Sequence, residues 1–127
     1  MTIEIVNIRN EHYLEFSAAF GSGIGVCKNL QRVKKEKRYF DAEADIDIPI
    51  KLNQNAVLAS DHRWFIRFLE NKNEIQGVVE AIDEDRFGSI RLAADCIIMI
   101  EIASEEIKNG DYLLLTVSID EFRITFI

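Results

Sequence analysis

The clearest pattern along the chain is an unbroken alternation from Ala44 to Leu52. Ala44, Ile46, Ile48, Ile50 and Leu52 interleave with Asp45, Asp47, Pro49 and Lys51. A period of two predicts a strand with one apolar and one charged face. Ile46, Ile48 and Ile50 are expected in the core, with Asp45, Asp47 and Lys51 in solvent, because a one-residue slip would bury charge. Pro49 has no N–H to donate, which places the strand at a sheet edge or at a bulge. Leu14, Phe16, Ala18 and Phe20 form a second alternating set that runs into Gly21-Ser22-Gly23-Ile24-Gly25. That stretch is expected to be a bend or bulge. No Gly-Lys-Ser/Thr and no complete GxGxxG opens a helix there, so it does not read as a phosphate loop. Trp64, Ile66 and Phe68 mark a third strand, apolar on both faces because Phe65 and Leu69 fill the other side.

The C-terminal half reads as a meander. Ile75 to Ile82 predicts a strand, residues 83–88 a turn, and Ser89 to Leu92 the returning strand. Cys96 to Ile102 is almost continuously apolar and is expected to be a central strand covered on both faces. Ser104 to Asn109 has a capping residue, two acids and a following Gly110, which together predict a helical turn. Asn29 to Lys37 has weaker helical character. Tyr112 to Ile119 and Phe122 to Ile127 close the chain as strands. These elements predict one mainly β domain over 1–127, an antiparallel sandwich or a partly open, OB-like barrel with one or two short helical turns.

Composition sharpens that picture. The 127 residues are 48% hydrophobic, too apolar for a disordered chain. The 19 Ile and 7 Val outnumber the 9 Leu, a β-branched bias that favours strands. The start Met1-Thr2-Ile3-Glu4 lacks the basic and apolar regions of a secretory signal. The longest run of consecutive aliphatic or Met residues, Ile97 to Ile100, is far short of the roughly 20 that a membrane helix needs. Cys27 and Cys96 have no CxxC or metal-ligand spacing and are expected to be reduced core thiols of a cytoplasmic protein.

Candidate chemistry is sparse. Only His12 and His62 could act as bases near neutral pH. Asp61 and His62 are adjacent, and neighbours on a strand point to opposite faces. Pairs such as Cys27 with His62 or Cys96 with His12 could form only through the fold. Asp83, Asp85 and Gly88 match three calcium-loop positions, but Phe87 and Ala94 stand where oxygen ligands are required. No catalytic residue, metal site or cofactor is expected.

Charge carries the most information. The net charge is −7, yet residues 28–38 hold Lys28, Arg32, Lys34, Lys35, Lys37 and Arg38 against Glu36 alone, a local +5. The rest of the chain has nine basic and twenty-one acidic residues, a balance of −12. Glu43, Asp45 and Asp47 project from one strand face at roughly 6–7 Å intervals, and Asp83, Glu84 and Asp85 form a second acidic group. Edge protection is one explanation of such a row, and a docking surface for a basic partner is the other. The expectation is a non-enzymatic protein-binding module, an acidic neutralising protein of the bacterial immunity or antitoxin type that docks on a basic toxin or another cationic protein. Tyr39, Phe40 and Trp64 are the expected aromatic anchors. The alternative is an OB-like nucleic-acid-binding domain that uses the basic segment 28–38 and nearby aromatics.

Overall fold

The computed structural model describes residues 1–33 and 36–127. Among them, strands account for nearly all regular structure, at 62% of residues against 2% helix. Eleven strands follow in order: β1 (Thr2–Arg9), β2 (Tyr13–Ala18), β3 (Gly21–Cys27), β4 (Tyr39–Ile50), β5 (Ala56–Leu58), β6 (Phe65–Leu69), β7 (Lys72–Glu80), β8 (Phe87–Ala93), β9 (Cys96–Ile102), β10 (Tyr112–Ser118) and β11 (Phe122–Phe126). One 3-10 turn, Leu30–Arg32, lies within the segment given weak helical character. No helix of the described residues is long and apolar enough to cross a membrane.

The pairings return on themselves. β1 pairs with β2, β2 with β3, β3 with β6, β6 with β7, β7 with β8, β8 with β9, β9 with β4, and β4 with β1, closing an eight-stranded barrel. β11 bridges β3 and β4, while β10 pairs with β7 and carries β5. Most pairings are antiparallel; β3–β6, β3–β11 and β4–β9 are parallel. Closure removes most of the free sheet edges that invite aggregation. The core is filled by inward residues of the ring, β10 and β11, with Phe16 and Phe122 stacked at a centroid distance of 6.0 Å.

Local chemistry explains the corners. Glu70 and Asn71, the two residues between β6 and β7, both have positive φ (53° and 62°). That is the twist a two-residue hairpin needs. The glycine-rich stretch is not a bend; it is β3 itself. Gly21 has φ 137°, and a Cβ there would sit 1.8 Å from the Ile66 carbonyl oxygen. Only glycine lets β3 and β6 approach so closely. Where that pairing ends, Asn73 takes over. Its buried side chain accepts from the Ile24 N–H (3.0 Å) and donates to the Ile24 carbonyl (2.7 Å), tying β3 to β7.

Three expectations need correction. Ser104 to Asn109 is not helical but forms two turns. The Ser104 hydroxyl accepts from the Leu52 N–H instead of capping, and Arg86 donates to the Ser104 and Ile107 carbonyls. Both interactions favour the non-helical path. β9 is not covered on both faces: Ile97 and Met99 are exposed and alternate with buried neighbours. In β4, Ile46 and Ile50 are buried as expected, but Ile48 is only partly so. The β4–β9 register shifts between Asp45 and Pro49, so Pro49 marks a bulge and Ile48 sits on it.

Candidate functional site

The outward face of β4 carries Tyr39, Asp41, Glu43, Asp45 and Asp47 in sequence. Beside it on β9, the outward residues are Ile97, Met99 and Glu101. The register places Met99 opposite Asp45 and Glu101 opposite Pro49. On β8, Phe87 stands opposite Glu101, Ser89 opposite Met99, and Arg91 opposite Ile97. On the other side of β4, Arg123 of β11 stands opposite Asp45 and Thr125 opposite Glu43. Cross-strand partners share a face, so these residues form one surface.

That surface has an apolar middle and an acidic border. Ile97, Met99 and Phe87 are 45%, 51% and 50% exposed. Glu43, Asp45 and Asp47 flank them on the β4 side and Glu101 follows at the end of the β9 row, while Ser89 and Arg91 lie on the β8 side. A cavity of about 250 Å³ is lined by Glu43, Ala44, Asp45, Ile97, Met99 and Thr125. A second groove of about 240 Å³ shares Asp45 and Met99 with it and continues past Asp47, Pro49 and Phe87. Beside this groove the Asp47 N–H donates to the Glu121 carbonyl (2.8 Å), extending the β4–β11 pairing.

The acid row is not uniform. Arg123 reaches Asp45 through Nε (2.5 Å) and Asp47 through a terminal nitrogen (3.4 Å). Hydrogen bonding to Asp45 and the charges of both aspartates raise the Arg123 pKa, against a smaller loss from burial. Among the described residues neither Glu43 nor Asp41 has an ion pair, and Asp41 accepts from the Thr2 hydroxyl (3.2 Å). On β8, Arg91 is drawn sideways to Glu80 (2.7 Å). The turn holding Asp83, Glu84 and Asp85 is exposed and leads directly into Phe87. Asp83 is partly occupied with its own loop, accepting from the Asp85 N–H (2.9 Å) and the Phe87 N–H (3.0 Å), a side-chain-closed turn.

The expected aromatic anchors do not gather here. Phe40 points inward and packs on Phe126 at 5.3 Å between centroids, so its ring belongs to the core and not to a contact surface. Its parity on β4 is opposite to that of the acids. Tyr39 is exposed, but it sits at the far end of the row beneath the Arg38 guanidinium (5.4 Å). Trp64 donates to the Tyr112 hydroxyl (3.2 Å). In register, Tyr112 is opposite Val78, Val78 opposite Arg91 and Arg91 opposite Ile97. Trp64, just before β6, therefore lies about four strand spacings along the sheet, roughly 19 Å, from the acid row of β4. Sequence reasoning missed Phe87, Ile97, Met99 and Glu101. The hydrophobic run 97–100 conceals its exposed members, and only register assigns them to the outside.

The basic segment enters β4 from the other end. Lys28, Arg32, Lys37 and Arg38 are exposed, while Lys34 and Lys35 lie outside the described residues. Arg38 pairs with Glu4 at 3.4 Å, and the Lys37 ammonium lies 5.5 Å from the Phe40 ring centroid. The segment lies along β4 from the acids, not across from them.

His12 and Cys27 are backbone neighbours, the Cys27 N–H donating to the His12 carbonyl (2.8 Å), while both imidazoles pack on tyrosines. His62 stacks on Tyr112 (4.2 Å, 8° between planes), and His12 meets Tyr13 edge-on. The Cys27 thiol contacts Asn29 at 3.5 Å, and Cys96 lies 3.7 Å from the Met1 sulfur. Burial raises both thiols, Cys96 to about 11, so neither is poised as a thiolate at neutral pH. Among the described residues, no group of three or more His, Cys, Asp or Glu could hold a metal ion. No family model matches the chain, and neither the curated proteins nor the solved structures compared with it yield a match.

Proposed function

We propose that this domain is a non-enzymatic binding module whose β4–β9–β8 face docks on a basic protein, as a cytoplasmic neutralising protein of the immunity type would dock on a toxin. One observation carries the reading: Ile97 and Met99 are exposed in a row on β9, with exposed Phe87 diagonal to Met99, and Glu43, Asp45 and Asp47 flank them on the β4 side with Glu101 at the end of the row. An apolar centre with a charged rim is the anatomy of a protein interface, in which the centre supplies most of the affinity. The rim supplies steering and partner choice. Edge protection does not account for this row, because β4 is paired with β1, β9 and β11 along its length.

The test is charge reversal, Asp45→Lys with Asp47→Lys, measured against a basic protein captured from the native host. Association should slow by about tenfold at low salt and lose its salt dependence. The circular dichroism spectrum should be unchanged. An unaltered association rate would refute the reading. So would a purified domain that retains nucleic acid at physiological salt and releases it after Lys37→Glu with Arg38→Glu.

A further inference from the structure

We infer that the cavity between β4, β9 and β11 is a seat for one long cationic side chain of the partner, a lysine or arginine, with Glu43 as the carboxylate that receives its charged end. The inference rests on the docking reading and adds to it the residue that is recognised. The cavity is lined by Ala44, Ile97 and Met99 together with Glu43, Asp45 and Thr125. Apolar walls ending in a carboxylate match a side chain with a methylene stem and a charged tip. A purely apolar partner residue would leave Glu43 desolvated without a counter-charge.

The molecule already contains one such arrangement. Arg123 reaches across from β11 and places its guanidinium between Asp45 and Asp47. That half of the row is filled from within. Of the two acids without an ion pair, Asp41 and Glu43, only Glu43 lines this cavity, and its β11 neighbour in the register is Thr125. Glu43, rather than Asp47, is then the carboxylate that sets specificity.

The protein contains two methionines, Met1 and Met99, so labelling their methyl carbons gives a reporter inside the cavity. Met1 packs beside Cys96 on the inner side of β9 and serves as the reference signal. Hexalysine is titrated first, then hexa(diaminobutyrate), which has the same number of charges on stems two methylenes shorter. Hexalysine should move the Met99 signal and leave Met1 in place. It should bind about threefold to tenfold more tightly than the short-stemmed peptide, because its extra methylenes reach the apolar walls. Glu43→Gln should remove most of that binding, while Asp47→Asn should change it less than about twofold. A still Met99 signal, equal binding of the two peptides, or an inert Glu43→Gln would each overturn the inference. Those failures remain distinct from failure of the docking reading. In that case the Asp45→Lys, Asp47→Lys protein would associate with the captured partner as fast as the parent.

Discussion

At Asn73 a single side chain replaces two ladder hydrogen bonds. Its amide serves both the N–H and the carbonyl of Ile24 in a site closed to water. Asn73→Ala would leave two buried backbone groups without partners, at about 1–3 kcal/mol each. The urea midpoint should therefore fall as far as for a large core truncation; a change under about 1 kcal/mol would show that β3 and β7 do not depend on this link. A second residue-scale device sits near Trp64. The Asp61 carboxylate accepts from the Arg63 N–H (3.1 Å) and the Gln76 amide (2.6 Å). These bonds, the backbone one foremost, hold its pKa below the ordinary carboxylate value. The stabilisation is thus complete at neutral pH and is lost only as pH falls through that lowered value. Trp64 is the one tryptophan, so its emission should shift to the red below the ordinary Asp range and ahead of the loss of β-sheet dichroism. In Asp61→Asn the two signals should change together at every pH.

At the scale of elements, β4 shows what periodicity reveals and what it hides. Its alternation assigns Ile46 and Ile50 to the core and Asp45 and Asp47 outward, as found. Pro49 announces a defect, but which residue loses its burial depends on how far the β9 register slips. Ile50→Ala should cost about 2–5 kcal/mol, whereas Ile48→Ala on the bulge should cost less than about 1.5. Asp47→Ala should cost under about 1 kcal/mol, because its pairing with Arg123 is open to solvent. Chemical denaturation of the three variants orders them, and an Ile48 effect equal to that of Ile50 would contradict the bulge. β9 and β3 mark the opposite limit. The run Ile97 to Ile100 has no polar residue to reveal an exposed side, and the glycines of β3 resemble a loop until β6 is seen against them. Half of the candidate site, the acids of β4 and the 83–85 turn, was visible in the charge pattern. The apolar half was not, because exposure on a barrel is a property of neighbours far away in sequence.

At the scale of the whole molecule, the barrel closes through distant partners. β1 meets β4, β4 meets β9, and β11 meets β3, none of them joined by a short turn. Folding dominated by non-local pairing is slow, in the range of milliseconds to seconds for all-β domains. Stopped-flow refolding monitored at Trp64 should fall in that range, and a microsecond phase carrying the full amplitude would be inconsistent with this topology. The charge balance belongs to this scale as well. Lys37 and Arg38 lead into β4 and the acid row follows along it, so a partner approaching this strand meets a direction as well as a net charge. β11 has a further consequence. It is the last strand in the order and the one that bridges β3 and β4, and Asn29 clasps the N–H and carbonyl of Phe126 at its end. During synthesis, therefore, β3 and β4 emerge from the ribosome long before the strand that joins them. Until residue 126 is free, a growing chain displays two unsatisfied strand edges to its surroundings. The interval between making β4 and releasing β11 is the period in which this protein is most open to mispairing with a neighbour or capture by a chaperone.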